Sequence, residues 1–268
     1  MLPLIESAQN PKIKGLTALL QKHRARRDSL LFAVEGVREV TMALCAGYIP
    51  QALYYLPQII SDPHQSFTLP QELQCQPVSL SVYQKIAYRE STEGVVAVLH
   101  QQKRELTHIH LSSNPLILVT EAVEKPGNIG AILRTADAAR VDAVLVCDPH
   151  CDLYNPNLIR ASIGALFTCK VITCTSKEAV AWLQQHQIRI YAATLQDSVP
   201  YHTQNYTFGS AIVVGSEANG LSPIWRDAAF ESVQIPMFGA IDSLNVSVST
   251  SIILFEALRQ RMVGSKMD

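Results

Sequence analysis

Three short stretches of this 268-residue chain carry side chains suited to chemistry, and each follows an apolar run. The first is Asn128-Ile129-Gly130, with Arg134 close behind. The second is Gly215-Ser216-Glu217, closed by Gly220. The third is Ser243-Leu244-Asn245. Together they offer amides, a guanidinium, a carboxylate and a hydroxyl beside glycine-rich backbone. That set suits holding a neutral or anionic polar substrate against a cofactor bound by main-chain groups. Each residue also has a plainer reading. Asn128, and Asp242 or Ser243, are placed as helix N-caps. Arg134 could pair with Glu121, Glu124 or Asp137, and Glu217 could be a solvated loop acid. One cap, however, explains only one polar residue before the last helix, and both Ser243 and Asn245 stand there.

Other chemistries lack their signatures. The twelve glycines include no G-x-G pair, so the dinucleotide phosphate cradle is missing. There is no G-x-x-x-x-G-K-[ST] loop and no Gly-x-Ser-x-Gly elbow. Cys147 and Cys151 flank His150, but no second Cys/His pair answers them, and no metal site is expected.

The elements that must position these residues are legible as alternating patterns. A basic helix over 11–27 leads to "LLFAVEG", a helical "VREVTMALCAG", a strand "QALYYL", a Pro- and Gln-rich loop, a helical "SVYQKIAYR" and a strand "GVVAVL". These form a small α/β domain over 1–100. Polar residues at 101–114 read as a linker. Over 115–268 the apolar runs "PLILVTEAV", "VDAVLVCD", "IRIYAATL", "SAIVVGSE" and "VQIPM" alternate with helical patterns. Continuous apolar strands between helices predict a parallel sheet covered on both faces. In such sheets ligands lie beyond the carboxyl ends of strands, which is where the three stretches fall.

Apolar content of 48% and a net charge of −1 describe a globular chain and exclude a uniformly basic nucleic-acid binder. The charge is uneven. Lys12, Lys14, Lys22, Arg24, Arg26 and Arg27 crowd one segment without an acid among them. Such a cluster predicts a local polyanion contact, with a solvated helix face as the alternative. No apolar run reaches membrane-spanning or signal-peptide length, and six cysteines fit reduced thiols, so a cytoplasmic protein without membrane contact is expected.

The three stretches, in this order and spacing, resemble the motifs of the SpoU (TrmH-like) branch of the SPOUT RNA methyltransferases: Asn128-x-Gly130-x-x-x-Arg134-Thr135-Ala136, Gly215-x-Glu217-x-x-Gly220-Leu221, and Ile235-Pro236-Met237 with Ser243-Leu244-Asn245-Val246-Ser247. "RASIGALF" at 160–167 is similar to a further family segment. "SAQNPKIK", "FAVEGVREV" and "GVVAV" are similar to the family's L30e-like substrate-binding domain. The resemblance implies an α/β catalytic domain with a deep trefoil knot, a homodimer, and methyl transfer from S-adenosylmethionine to a ribose 2′-hydroxyl of structured RNA, with rRNA favoured over tRNA. It also implies a reactive centre of Asn128, Arg134, Glu217, Ser243 and Asn245, and cofactor contacts at Thr194, Gly215, Ile235 and Leu244. Lys12, Lys14, Arg24, Arg26 and Arg27 would then meet RNA backbone. Two other readings use the same residues differently: a catalytically silent RNA-binding or ribosome-assembly protein of this fold, and a small-molecule α/β enzyme.

Overall fold

The described segments of the first hundred residues alternate helices and strands around a four-stranded sheet. The structure, a computed structural model, describes residues 2–60, 73–87, 94–241 and 243–264. Helices α1 (Pro11–Gln21) and α2 (His23–Ser29) precede β1 (Leu31–Glu35) and α3 (Val37–Cys45). Next come β2 (Pro50–Tyr55), α4 (Pro57–Ile60), β3 (Cys75–Pro77), α5 (Leu80–Ile86) and β4 (Val95–His100). Asn10 caps α1 by accepting from the Lys12 amide at 2.9 Å, and Pro11 opens the helix. The basic segment is two helices rather than one, because Lys22 is extended (φ −116, ψ 116). The sheet runs β1-β4-β2-β3, antiparallel except for the β2–β3 pair. Most of the Pro- and Gln-rich loop lies outside the described residues. Ile13, Leu16 and Leu19, at helical spacing on α1, join Tyr54, Val82, Tyr83 and Val96 in the core of this unit.

The chain continues through β5 (Leu116–Glu121), α6 (Pro126–Ala138), β6 (Ala143–Cys147), α7 (Pro156–Ser162), α8 (Ala165–Thr168), β7 (Val171–Cys174) and α9 (Ser176–Gln185). It closes with β8 (Arg189–Ala193), β9 (Val199–Pro200), β10 (Ser210–Val214), α10 (Pro223–Ala228), β11 (Glu231–Gln234) and α11 (Val246–Gly264). Two compact units result: residues 1–102 with 152–168, and 103–151 with 169–268. The segment carrying α7 and α8, which contains "RASIGALF", thus belongs to the first unit. Its Asp152 accepts from Arg26 there at 2.6 Å, and Phe167 stacks on Phe32.

The second unit holds a seven-stranded sheet in the order β7-β6-β5-β10-β8-β11-β9, parallel at every pair. Its central strands are buried along their length, as the unbroken apolar runs predict. Strand β10 enters between β5 and β8, both of which precede it in sequence. The order therefore reverses beside β10, and the crevice for a ligand opens at that strand's carboxyl end. Helix α11 packs against α6 and β10 through Val246, Ile253, Leu254 and Ala257, while Val248, Phe255 and Met262 remain exposed. It is apolar on more than one side. Among the described residues no helix is long and apolar enough to cross a membrane.

Candidate active site

A cleft of about 580 Å³ opens where β8, β10 and β11 end. Its size is that of a small-molecule site. Thr194, Gly215, Ile235 and Leu244 all line it, together with Ser243 and Glu217. The lining mixes apolar residues such as Val214, Ile235, Met237 and Leu244 with polar ones such as Asn219, Gln234 and Ser249. Among the described residues Glu217 is its one acid and Arg226 its one base.

The wall is built from a folded-back loop. Ser216 and Gly220 form an antiparallel bridge, with the Gly220 amide donating to the Ser216 carbonyl at 3.0 Å. The Asn219 amide donates to Ser216 Oγ at 3.1 Å. A Cβ on Gly215 would lie 2.3 Å from the Gly220 carbonyl carbon and oxygen, so only glycine lets the two limbs approach. Gly220 turns with φ +64, a left-handed conformation that glycine adopts freely. Thr194 is held by its amide, which donates to the Val233 carbonyl at 3.0 Å. Its hydroxyl accepts from the Gln196 amide at 3.3 Å.

Residues far apart in sequence meet at the edge of this cleft. Asn128 Nδ2 donates to Glu217 Oε1, and Asn245 Nδ2 donates to Asn128 Oδ1 at 3.2 Å. Asn245 Oδ1 in turn accepts from the Ser247 amide at 3.0 Å and the Ser247 hydroxyl at 2.6 Å, capping α11. One residue from each sequence motif thus forms a continuous polar chain. Asn128 is not the N-cap of α6. Lys125 occupies that position, Asn128 is the third helical residue, and its amide side chain is released to meet Glu217. Asp242 lies outside the described residues.

Arg134 does not join this chain. It is exposed, and among the described residues its side chain makes no hydrogen bond or ion pair. At about 100° per residue, Asn128 and Thr135 share one face of α6 and position 134 is turned roughly a third of the circumference away. That shared face meets α11, where Thr135 Oγ1 lies 2.9 Å from Ser251 Oγ. The pairing of Arg134 with Glu121 that spacing allowed is also absent. Glu121 is buried and accepts instead from the Ser176 and Ser222 hydroxyls and the Ser222 amide.

Sequence reading missed Arg226, although Gln196 lies in the strand end 194–197, which carries further polar groups on the same side of the sheet. The Arg226 guanidinium donates to Gln196 Oε1 across the cleft wall. Nothing in the spacing marks Arg226, which sits one turn into an ordinary Ser-Pro helix start.

The basic segment of the first unit divides into exposed and buried parts. Lys12, Lys14, Arg24 and Arg27 are exposed. Lys12 Nζ donates to Gln76 Oε1 at 3.1 Å. Arg27 and Arg24 both bond Asp28, and together they hold its carboxyl below the usual carboxylate range. Arg26 is only 3% exposed. It spends its guanidinium on Asp152 and on the Leu19 carbonyl at 2.6 Å, so it is not available to an RNA phosphate. This corrects its place among the RNA contacts. A charge run records sequence proximity, and burial removed one member.

Among the described residues no three His, Cys, Asp or Glu side chains group as a metal site. Cys147 faces Cys174 across adjacent strands, 3.8 Å apart at sulfur.

Residues 115–255 match the SpoU rRNA Methylase family, and residues 10–97 match the MRM3-like substrate binding domain. The chain is 28% identical over 252 residues to the 23S rRNA (guanosine(2553)-2′-O)-methyltransferase RlmP of Bacillus subtilis, covering 94% of this chain and 97% of that one. A crystal structure of an RNA 2′-O ribose methyltransferase aligns with a TM-score of 0.83 at 38% identity, over 97% of this chain and all of the other. An AdoMet-bound rRNA methyltransferase from Sinorhizobium meliloti aligns with a TM-score of 0.86 at 29% identity, over 96% and 97% of the two chains.

Proposed function

The chain belongs to the SpoU rRNA methylase family, and from that premise we propose that Asn128, Glu217, Ser243 and Asn245 form its reaction centre and that 23S rRNA is its substrate. The chain is an RNA 2′-O-ribose methyltransferase that uses S-adenosylmethionine, with the trefoil-knotted catalytic domain this family implies. The observation that carries the site assignment is the Glu217–Asn128–Asn245 chain at the rim of the Gly215 cleft.

The cleft fits the cofactor. Apolar residues such as Val214, Ile235, Met237 and Leu244 alternate in its lining with polar ones, and Gly215 lets the loop that walls it fold back closely on itself. Thr194, Gly215, Ile235 and Leu244 would hold it there. When bound, the cofactor supplies an electrophilic methyl on a sulfonium, an excellent leaving group. The chain's own task is alignment and proton management. The hydrogen-bonded amides of Asn128 and Asn245 are fixed before substrate arrives. Holding a ribose hydroxyl in line is the kind of orientation that can contribute about 7–11 kcal/mol. Ser243, exposed beside Leu244, is free to bond that hydroxyl. Glu217 accepts from Asn128 and thereby sets which way its carbonyl faces.

Arg134 stays protonated and is suited to clamp a phosphate, not to act as a base. It is exposed on α6, where a phosphate of bound RNA can reach it. A homodimer is supported by the exposed Val248, Phe255 and Met262, which recur every seventh residue along α11. We place the reaction in the cytoplasm.

The test is transfer of labelled methyl from S-adenosylmethionine to ribosomal RNA isolated from cells lacking the protein. Label should appear on a ribose of 23S rRNA. Asn128→Ala and Asn245→Ala should each lower turnover by about 10²-fold, the scale of a misplaced reacting group. Cofactor binding without any RNA methylation would instead favour the silent RNA-binding reading.

A further inference from the structure

We infer that Glu121 is a positioning residue for the cofactor: its buried carboxylate fixes the outgoing limb of the Gly215–Ser222 loop and so sets the shape of the cradle. The inference rests on the reading that the cleft beside Gly215 holds S-adenosylmethionine.

Glu121 ends β5 and is 5% exposed. Its Oε1 accepts from Ser222 Oγ at 2.6 Å and from Ser176 Oγ at 2.8 Å, and its Oε2 accepts from the Ser222 amide at 2.7 Å. Among the described residues no Lys, Arg or His forms an ion pair with it. A buried charge without a counter-ion is costly, and three hydrogen bonds from fixed donors are what compensate it here. Ser176 is itself fixed on two further sides. Its amide donates to Asp148 Oδ2 at 3.0 Å, and its hydroxyl accepts from Trp225 Nε1 at 3.0 Å. The starts of α9 and α10 are thereby tied to the end of β5.

The link to the cofactor is short. Leu221, next to Ser222, lines the cleft, and Gly220 before it carries the carbonyl that closes on Gly215. Glu121 itself does not line the cleft. It borders a separate cavity of about 360 Å³, which Ser222 also lines, and Ser216, Asn219, Gly220 and Leu221 of the loop line both that cavity and the cleft. Its influence on bound cofactor therefore passes through the loop. The carboxylate is chemically specific. A glutamine can keep its carbonyl on the Ser222 amide only by turning its NH₂ toward the two hydroxyls, which must then accept instead of donate, and the charge-assisted bonds to the loop are lost.

The experiment is calorimetric titration of S-adenosylmethionine into the wild-type protein, Glu121→Gln and Ser222→Ala, with steady-state methylation of RNA alongside. Glu121→Gln should weaken cofactor binding by about tenfold or more, the scale of a lost hydrogen bond to a charged group. The cofactor KM should rise in step, while kcat at saturating cofactor and the RNA KM stay within about threefold. Ser222→Ala keeps the amide contact and should lose only about threefold. Combined with Glu121→Gln it should add nothing, because both act through one contact. Wild-type affinity in Glu121→Gln overturns the inference, as does a fall in kcat with the cofactor KM unchanged. Should Glu121→Gln not fold, wild-type affinity in Ser222→Ala overturns it. A wild-type protein that binds no cofactor overturns the reading of the cleft itself, a result distinct from either.

Discussion

Gly215 and Gly220 sit at the two ends of one loop, yet the structure asks different things of them. A methyl group on Gly215 would press into the Gly220 carbonyl at 2.3 Å, so the limbs must part. Gly220 has open space around its Cβ position and only its φ of +64 favours glycine. Gly215→Ala should therefore widen the cradle and lower cofactor affinity by at least about tenfold, because displaced backbone loses bonds worth ~1 kcal/mol or more apiece. Gly220→Ala should cost only about 1–2 kcal/mol of stability from the left-handed backbone and leave affinity closer to wild type. Calorimetry with cofactor and thermal melts on the two variants separate these effects. Comparable affinity losses in both would show that the close approach is not what matters. The glycines themselves were legible in the sequence as a tight loop. That one is a contact and the other a conformation was not, because spacing carries no distances.

At the scale of elements, the long strands were readable because burial on both faces writes an unbroken apolar run, as in β5, β6 and β10. Strands β3, β7 and β9 were not, being only two to four residues long. The site was legible in part. Parallel strands send their loops to one edge, so convergence of Glu217 with Asn245 followed from topology. That Asn128 would reach them and Arg134 would not depended on helical phase within α6. The last helix shows a device no pattern announced. Arg261, half-buried near the end of α11, donates to four carbonyls: Tyr206 at 2.9 Å, Asn114 at 2.7 Å, Pro115 at 3.1 Å and Phe208 at 2.6 Å. These lie in the segments that lead into β5 and β10, so one guanidinium ties α11 to the entry of the two central strands. Arg261→Met keeps much of the stem packing but strands the carbonyls. It should cost about 2–4 kcal/mol, given 1.5–3 kcal/mol for a hydrogen bond to a charged group. Urea denaturation measures this, and a loss below ~1 kcal/mol would mean water replaces the contacts without penalty.

At the scale of the whole molecule, the net charge of −1 conceals a division of labour among cations that look alike in the sequence. Lys12 and Lys14 are exposed near the start of α1. Arg24 and Arg27 are exposed but share Asp28, and Arg26 is buried against Asp152. Contacts to RNA backbone release counter-ions, so each exposed cation that meets a phosphate contributes about 0.7–0.9 to the slope of log affinity against log salt. Replacing Lys12 and Lys14 with alanine should weaken RNA binding uniformly across sequences and flatten that slope by roughly 1.5. Asp28→Asn should act in the opposite direction. It removes the acid that already occupies Arg24 and Arg27, so affinity should rise at low salt and the slope should steepen. Arg26→Ala should leave the slope unchanged, since its guanidinium never faces solvent. It should instead destabilise the first unit by about 3–5 kcal/mol, the cost of leaving one member of a buried pair uncompensated. Filter binding across a salt series, paired with thermal melts, reads both quantities on the same proteins. A steepened slope in Asp28→Asn together with an unchanged one in the double lysine variant would move the RNA contact from the first helix to the second. An unchanged slope in all of them would return the basic segment to the role of a solvated face.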